Sequence, residues 1–352
     1  MNNNFLVLLL LILFTVFSCE KDEPISPKET DLISGEIFNQ TVLIDGHDYD
    51  NLIIENCTFE NIDGDGLQIR DVDNLIIRNC VFKNIDGNSI RFRNSGSSNN
   101  VSIENNDIYN ITHNGVLSYE THQNTVITGN LIYNVGTEGS GSLAGSPHHG
   151  IYLQGPNFRI ENNTIYDVIN SNGNCISVRS YGTISSNILH GATKHGISYY
   201  SDHPGLDGQL LIENNFIYDN SSRGTNLQTD GNSSNHIGLS VIRFNTIVTS
   251  DKSCIGVSSG MSDVSVEAYG NILIRTDAGT NYIDFTDLVS ESQNLQSVTD
   301  IGFVNFNGRD LHITSSCSAL DFAVGLTNFP SFDIDGDNRS AISLDAGADE
   351  KN

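Results

Sequence analysis

The chain has 352 residues, with 17 basic and 43 acidic side chains and a net charge of −26. A body this acidic repels nucleic acid and anionic membrane surfaces, which excludes functions that depend on either. The lack of Trp, the 32 Gly and the many Asn favour a turn-rich β architecture over helices.

In chain order, Phe5 to Phe17 form an apolar run too short to span a bilayer, ending at Ser18-Cys19. Glu20-Lys21-Asp22-Glu23-Pro24 follow at once, which argues against a buried helix, so residues 1–18 read as a secretory signal peptide. Val16-Phe17-Ser18-Cys19 resembles a lipoprotein signal, which implies acylation of Cys19. The acidic stretch after it is similar to the surface-export signal of lipoproteins in the Bacteroidetes group. These resemblances imply an exported protein, lipid-anchored at the outer membrane or cell surface, with residues 19–39 as an acidic linker. Export permits disulfides, yet Cys57, Cys80, Cys175, Cys254 and Cys317 are odd in number and lack the spacing of a disulfide scaffold.

A phrase of the form apolar-x-Asn-Asn-x-apolar then recurs, as in Ile103-Glu104-Asn105-Asn106-Asp107-Ile108. Its fourth position is Cys57, Cys80, Asn106, Asn130, Asn163, Asn187, Asn215, Asn245 and Asn271, with steps of 23, 26, 24, 33, 24, 28, 30 and 26 residues. A period in the twenties with short strands predicts an all-β solenoid of about nine coils over residues 40–285. Stacked Asn side chains would satisfy one another from coil to coil, with Cys57 and Cys80 as small buried rungs. A second strand follows each rung. Its first inward residues are read as Leu67, Ile90, Val116, Ile151, Ile176, Ile197, Leu227 and Ile255.

The repeat resembles the right-handed parallel β-helix of the pectate-lyase-like superfamily, which fixes a fold and leaves activity open. Ser318 to Asp321, Asp333 to Arg339 and Asp345 to Glu350 resemble the C-terminal cap of exported β-helix proteins, giving a cap segment over 286–352. Asp333, Asp335 and Asp337 suit either a Ca²⁺ ion or, more simply, a turn.

Loop insertions at 136–146, 201–208 and 231–236 bracket the second strand in coils four to seven and predict a groove. Outward positions along that sheet carry Arg70, Arg91, Arg93 and Arg179, with Tyr119, Tyr152, Tyr200, Gln154 and Gln228, and one acid, Asp230. Arg pairs with carboxylates and Tyr packs on sugar rings, so the strip suits an anionic polysaccharide bound by a monomer. His148-His149-Gly150-Ile151 and Lys194-His195-Gly196-Ile197 place His149 and His195 at one corner, with Arg179 on the coil between.

The expected reaction is β-elimination on a uronate, or C5 epimerisation by the same set. Arg179 would neutralise the carboxylate, His149 or His195 would be the base, and Tyr152 or Tyr200 the acid. No cofactor is required by this scheme, although lyases of the resembling superfamily often pair Ca²⁺ with a Lys or Arg base, a type that Lys194 fits. A non-catalytic glycan-binding lipoprotein would use the same strip. A hydrolase would need two carboxylates, for which only Asp230 and Asp202 are placed.

Overall fold

The structure is a computed structural model and describes residues 32–137, 147–201, 208–229, 232, 236–284 and 286–351. Cys19, Asp202, His203 and Asp230 lie outside the described residues. Strands stack into three parallel sheets, of eleven, eleven and nine strands. The first runs from Leu32–Ser34 to Val289–Ser292, the second from Ile37–Phe38 to Leu295–Ser297, and the third from Val42–Asp45 to Ile255–Val257. The chain visits one strand of each sheet per coil, in register with the coil before, which is a right-handed parallel β-helix. Coils run past both ends of the 40–285 span, because Leu32–Ser34 pairs with Ile53–Glu55 and Val289–Ser292 pairs with Ser265–Tyr269.

The corner between the first two sheets explains the repeated phrase. The residue before each rung is left-handed: Asn56, Asn79, Asn105, Asn162 and Asn214 have φ of 53–57°, and Gly129 and Gly270 have 69° and 65°. Asn and Gly tolerate that region best. The rung itself then turns inward, and each backbone N–H donates to Oδ1 of the next rung. These bonds run Asn106 to Asn130, Asn163, Asn187, Asn215, Asn245 and Asn271 at 2.9–3.0 Å. Asn294 adds a further rung at 3.1 Å, and the Cys80 N–H starts the column on Asn106 Oδ1 at 2.8 Å. Inside, Ile, Leu, Val and Phe rows fill the bore, including Ile69, Phe92, Leu153 and Val178, all at most 1% exposed.

Coil seven departs from the predicted phase. Thr225 pairs with Ile197 and Leu227 with Tyr199, so Thr225 is the first inward residue and Leu227 the second. The strand reads Thr-Asn-Leu-Gln-Thr, and its polar start hid the ten-residue offset from Asn215.

The C-terminal segment packs along the flank of the last coils, where Leu311, Ile313, Ala346 and Ala348 meet the outward residues Phe216, Phe244, Tyr269 and Ile272. Arg339 is buried there, donating to Glu350 Oε2 at 3.0 Å and stacking 4.9 Å from the Phe244 ring. Asp333 is a turn former: its Oδ1 takes the N–H groups of Asp335 and Asp337, and its Oδ2 takes that of Glu350.

Candidate functional site

A second polar column runs up the corner before the third sheet. Asp65 Oδ1 accepts from the Asn88 N–H at 2.9 Å, Asn88 Oδ1 from Asn114 at 3.3 Å, and Asn114 Oδ1 from His149 at 2.7 Å. His149 Nδ1 accepts from the Asn174 N–H at 3.1 Å, Asn174 Oδ1 from His195 at 3.0 Å, and His195 Nδ1 from Arg223 at 3.3 Å. His149 and His195 therefore sit where other coils use Asp or Asn, each with Nδ1 in the place of a side-chain oxygen. The Gly after them is also structural: a Cβ on Gly150 would lie 2.6 Å from the Cys175 carbonyl oxygen.

This column fixes the protons. A ring nitrogen that accepts from a backbone N–H carries no proton, so Nε2 carries it in the neutral ring. Burial, with Arg179 and His148 beside it, lowers the His149 pKa to about 3. Burial, then Arg223 and Lys194, lowers that of His195 to about 3. Both rings, when neutral, are hydrogen-bond donors through Nε2–H. His149 Nε2 is buried and has no hydrogen-bond partner among the described residues.

Arg179 follows the strand Ile176–Val178 and lies between two tyrosines from the neighbouring coils. Its guanidinium carbon is 5.0 Å from the ring centre of Tyr152 and 5.0 Å from that of Tyr200, and its Nε donates to the Tyr152 hydroxyl at 3.1 Å. The His149 ring meets Tyr152 edge-on at 5.1 Å. A cavity of about 240 Å³ opens here, lined by His149, Asn174, Arg179, Lys194, His195, Tyr200 and Gln228 among others. The structure thus brings together His149, His195, Arg179, Tyr152, Tyr200, Lys194 and Gln228. Asn174, the rung between the two histidines, was not singled out, although its place in the column lies 25 residues past His149.

The rest of the cationic strip is engaged within the protein. Arg70 forms a two-pronged ion pair with Asp45, which stands at the outward place of a coil earlier than the first one recognised. Arg91 pairs with Asp65, the first rung of the column, at 3.2 Å, and Arg93 donates to Gln68 at 2.8 Å. Tyr119 is half-buried and Gln154 buried. Arg70, Arg91 and Arg93 thus tie neighbouring coils together. Among the described residues one group, His47, Asp50 and Asp73, brings three metal-type ligand atoms together, at a corner away from the cavity.

Fold and site together define a parallel β-helix whose third sheet carries a cationic, hydrogen-bond-donating pocket. The chain matches the family described as the right handed beta helix region over residues 40–205 and 96–288, and it belongs to that family. No curated protein sequence matches it. Among solved structures it is similar to pectate lyase Pel9A, with a TM-score of 0.56 and 12% identity over 90% of this chain and 82% of that one. It is also similar to the A-module of mannuronan C-5 epimerase AlgE4 from Azotobacter vinelandii, with a TM-score of 0.50 and 13% identity over 76% and 84%. At these identities the likeness is one of fold.

Proposed function

We propose that the cavity over coils four to seven binds a uronic-acid-containing polysaccharide and moves the proton at C5 of a bound uronate. The outcome is β-elimination or epimerisation. The observation that carries this reading is convergence: the Arg179 guanidinium between two Tyr rings, beside two imidazoles that donate when neutral and the Lys194 amine. Arg179 neutralises the carboxylate as charge develops next to it, and the His149 and His195 Nε2–H groups bond its oxygens or the ring hydroxyls. With the imidazoles fixed as donors, Tyr200 and Lys194 are the lining groups that exchange the proton. The same scaffold carries a pectate lyase and a mannuronan C-5 epimerase, so it accommodates this class of chemistry. The protein works outside the cell, tethered through an acylated Cys19.

A non-catalytic glycan-binding role is the second reading, favoured by the structural duty of both histidines as rungs. Incubation with a panel of uronic-acid polymers, followed by unsaturated-sugar absorbance and by NMR of C5 configuration, separates the two. Arg179→Ala should lower turnover more than affinity. A wild-type protein that retains polymer and alters none of it would establish the binder.

A further inference from the structure

Thr229, His236 and Asp263 form a hydrogen-bonded chain beyond the Arg179 cluster. The Thr229 hydroxyl is bonded to His236 Nε2, and His236 Nδ1 lies 2.5 Å from Asp263 Oδ1. The His236 side chain is 4% exposed and that of Asp263 41%. An ionised carboxylate only accepts, so Nδ1 carries a proton, and with the ring neutral Nε2 accepts from the Thr229 hydroxyl. This is the reverse of His149 and His195, in which Nδ1 accepts and Nε2 carries the proton of the neutral ring.

Packing sets the threonine rotamer. A Cβ on Gly260 would lie 2.4 Å from Thr229 Cγ2, so the methyl rests against the glycine of the turn Ser259–Met261 while the hydroxyl faces the imidazole. Thr229 is half-buried and ends the strand Thr225–Thr229, paired with Ser201 of the coil before. Serving only as a tether for the turn, the chain would not need an imidazole aligned between a hydroxyl and a carboxylate.

We propose that Thr229, His236 and Asp263 form a second catalytic centre, a hydroxyl–imidazole–carboxylate triad that hydrolyses esters on a sugar chain lying in the groove. Thr229 Oγ1 attacks the ester carbonyl as His236 Nε2 takes the hydroxyl proton, and Asp263 steadies the imidazolium. The tetrahedral adduct collapses, the bond to the alcohol oxygen breaks, and that oxygen leaves with the proton from His236. Water, deprotonated by His236, then attacks the Thr229 ester and frees the carboxylic acid and the hydroxyl. The sum is ester plus water giving acid plus alcohol. The sugar-borne nature of the ester rests on the proposed function; the triad itself does not. Cleaving an alkyl ester of a uronate would uncover the carboxylate that Arg179 recognises two coils away.

The test uses the mature protein with p-nitrophenyl acetate, which needs no sugar site, and with methyl-esterified and O-acetylated uronic-acid polymers in separate arms. Wild type should release p-nitrophenol, and acid quenching should trap an acetyl group on the peptide that contains Thr229. Thr229→Val keeps the shape and removes the nucleophile, so kcat should fall by about 10³-fold or more; Thr229→Ser should retain turnover and the trapped adduct. Methanol or acetate release tells which polymer ester is cut. Thr229→Val turning over at the wild-type rate, or a wild type that cleaves no ester and traps no adduct, overturns the triad. Cleavage of p-nitrophenyl acetate with no polymer ester touched keeps the triad and overturns its placement on a sugar chain. Should Thr229→Val lose its fold, the Thr229→Ser rate and the trapped adduct still decide the matter.

Discussion

His149 carries two duties that one substitution can separate. In His149→Ala the Asn174 N–H loses its acceptor, a bond of 3.1 Å in a buried corner. Stranding a buried backbone donor costs about 1–3 kcal/mol. That corresponds to a ~5- to 150-fold fall in the folding constant, before any loss from packing of the ring. His149→Asn supplies an Oδ1 in the same place, as Asn114 and Asn174 do on the neighbouring coils. It should therefore recover most of the stability while lacking the ring's Nε2–H. Urea melts of both variants, read as midpoints at constant slope, measure the first duty. Turnover of the preferred polymer measures the second, and His149→Asn should lose about 10²–10³-fold, the usual cost of one positioned donor. Equal destabilisation by Asn and Ala would refute the rung assignment. Full activity in a stable His149→Asn would remove the ring from the chemistry.

Three further outcomes follow from other regions. Asn163→Leu strands the Asn130 N–H and the Ile127 carbonyl, so urea denaturation should show a loss of about 2–6 kcal/mol. Burial raises the Asp349 carboxyl from 3.8 to about 6 and that of Glu350 from 4.5 to about 7. The folded segment thus holds those protons more tightly than the unfolded chain. Its docking is strongest at acid pH and weakens as pH rises through about 6 and 7. Hydrogen-exchange protection over residues 303–351, corrected for the intrinsic base-catalysed rate, should be lower at pH 8 than at pH 5, and a flat protection profile would discount those two groups. Cys19→Ala should shift the protein from the membrane fraction to the soluble one or leave an uncleaved precursor, as read by fractionation and N-terminal mass.

The solenoid was legible because its corner chemistry repeats a single residue type. Asn106 to Asn271 form one column, and any reading that aligns them recovers the coils. Coil seven was misphased where Thr225 and Asn226 replaced the apolar start, since alternation is blind when an inward place is polar. The partners of the Arg strip were hidden for a different reason: Asp45 stands on a coil before the first one the repeat shows, and Asp65 belongs to the corner column. The second column escaped notice because its rungs change type, from Asp to Asn to His, while keeping one function, the acceptance of a backbone N–H. His149, His195 and Arg179 were still found together, because the phrase around each histidine repeats with the coil. What that phrase could not disclose was which nitrogen holds the proton.

The in-register columns make the coil, and not the residue, the unit by which this chain can grow or shrink. Asp107, Ile108 and Tyr109 lie directly beside Leu131, Ile132 and Tyr133. Residues 107–130 could therefore be excised as a block, leaving Asn106 followed by Leu131 with each column rejoined. A one-residue deletion has no such neutral form, since it turns a strand's inward set outward. Length in this architecture is thus quantised in steps of about 4.8 Å, one strand spacing. A lineage built this way can lengthen or shorten its groove, and so change how many ligand units it spans, without disturbing the coils that hold Arg179.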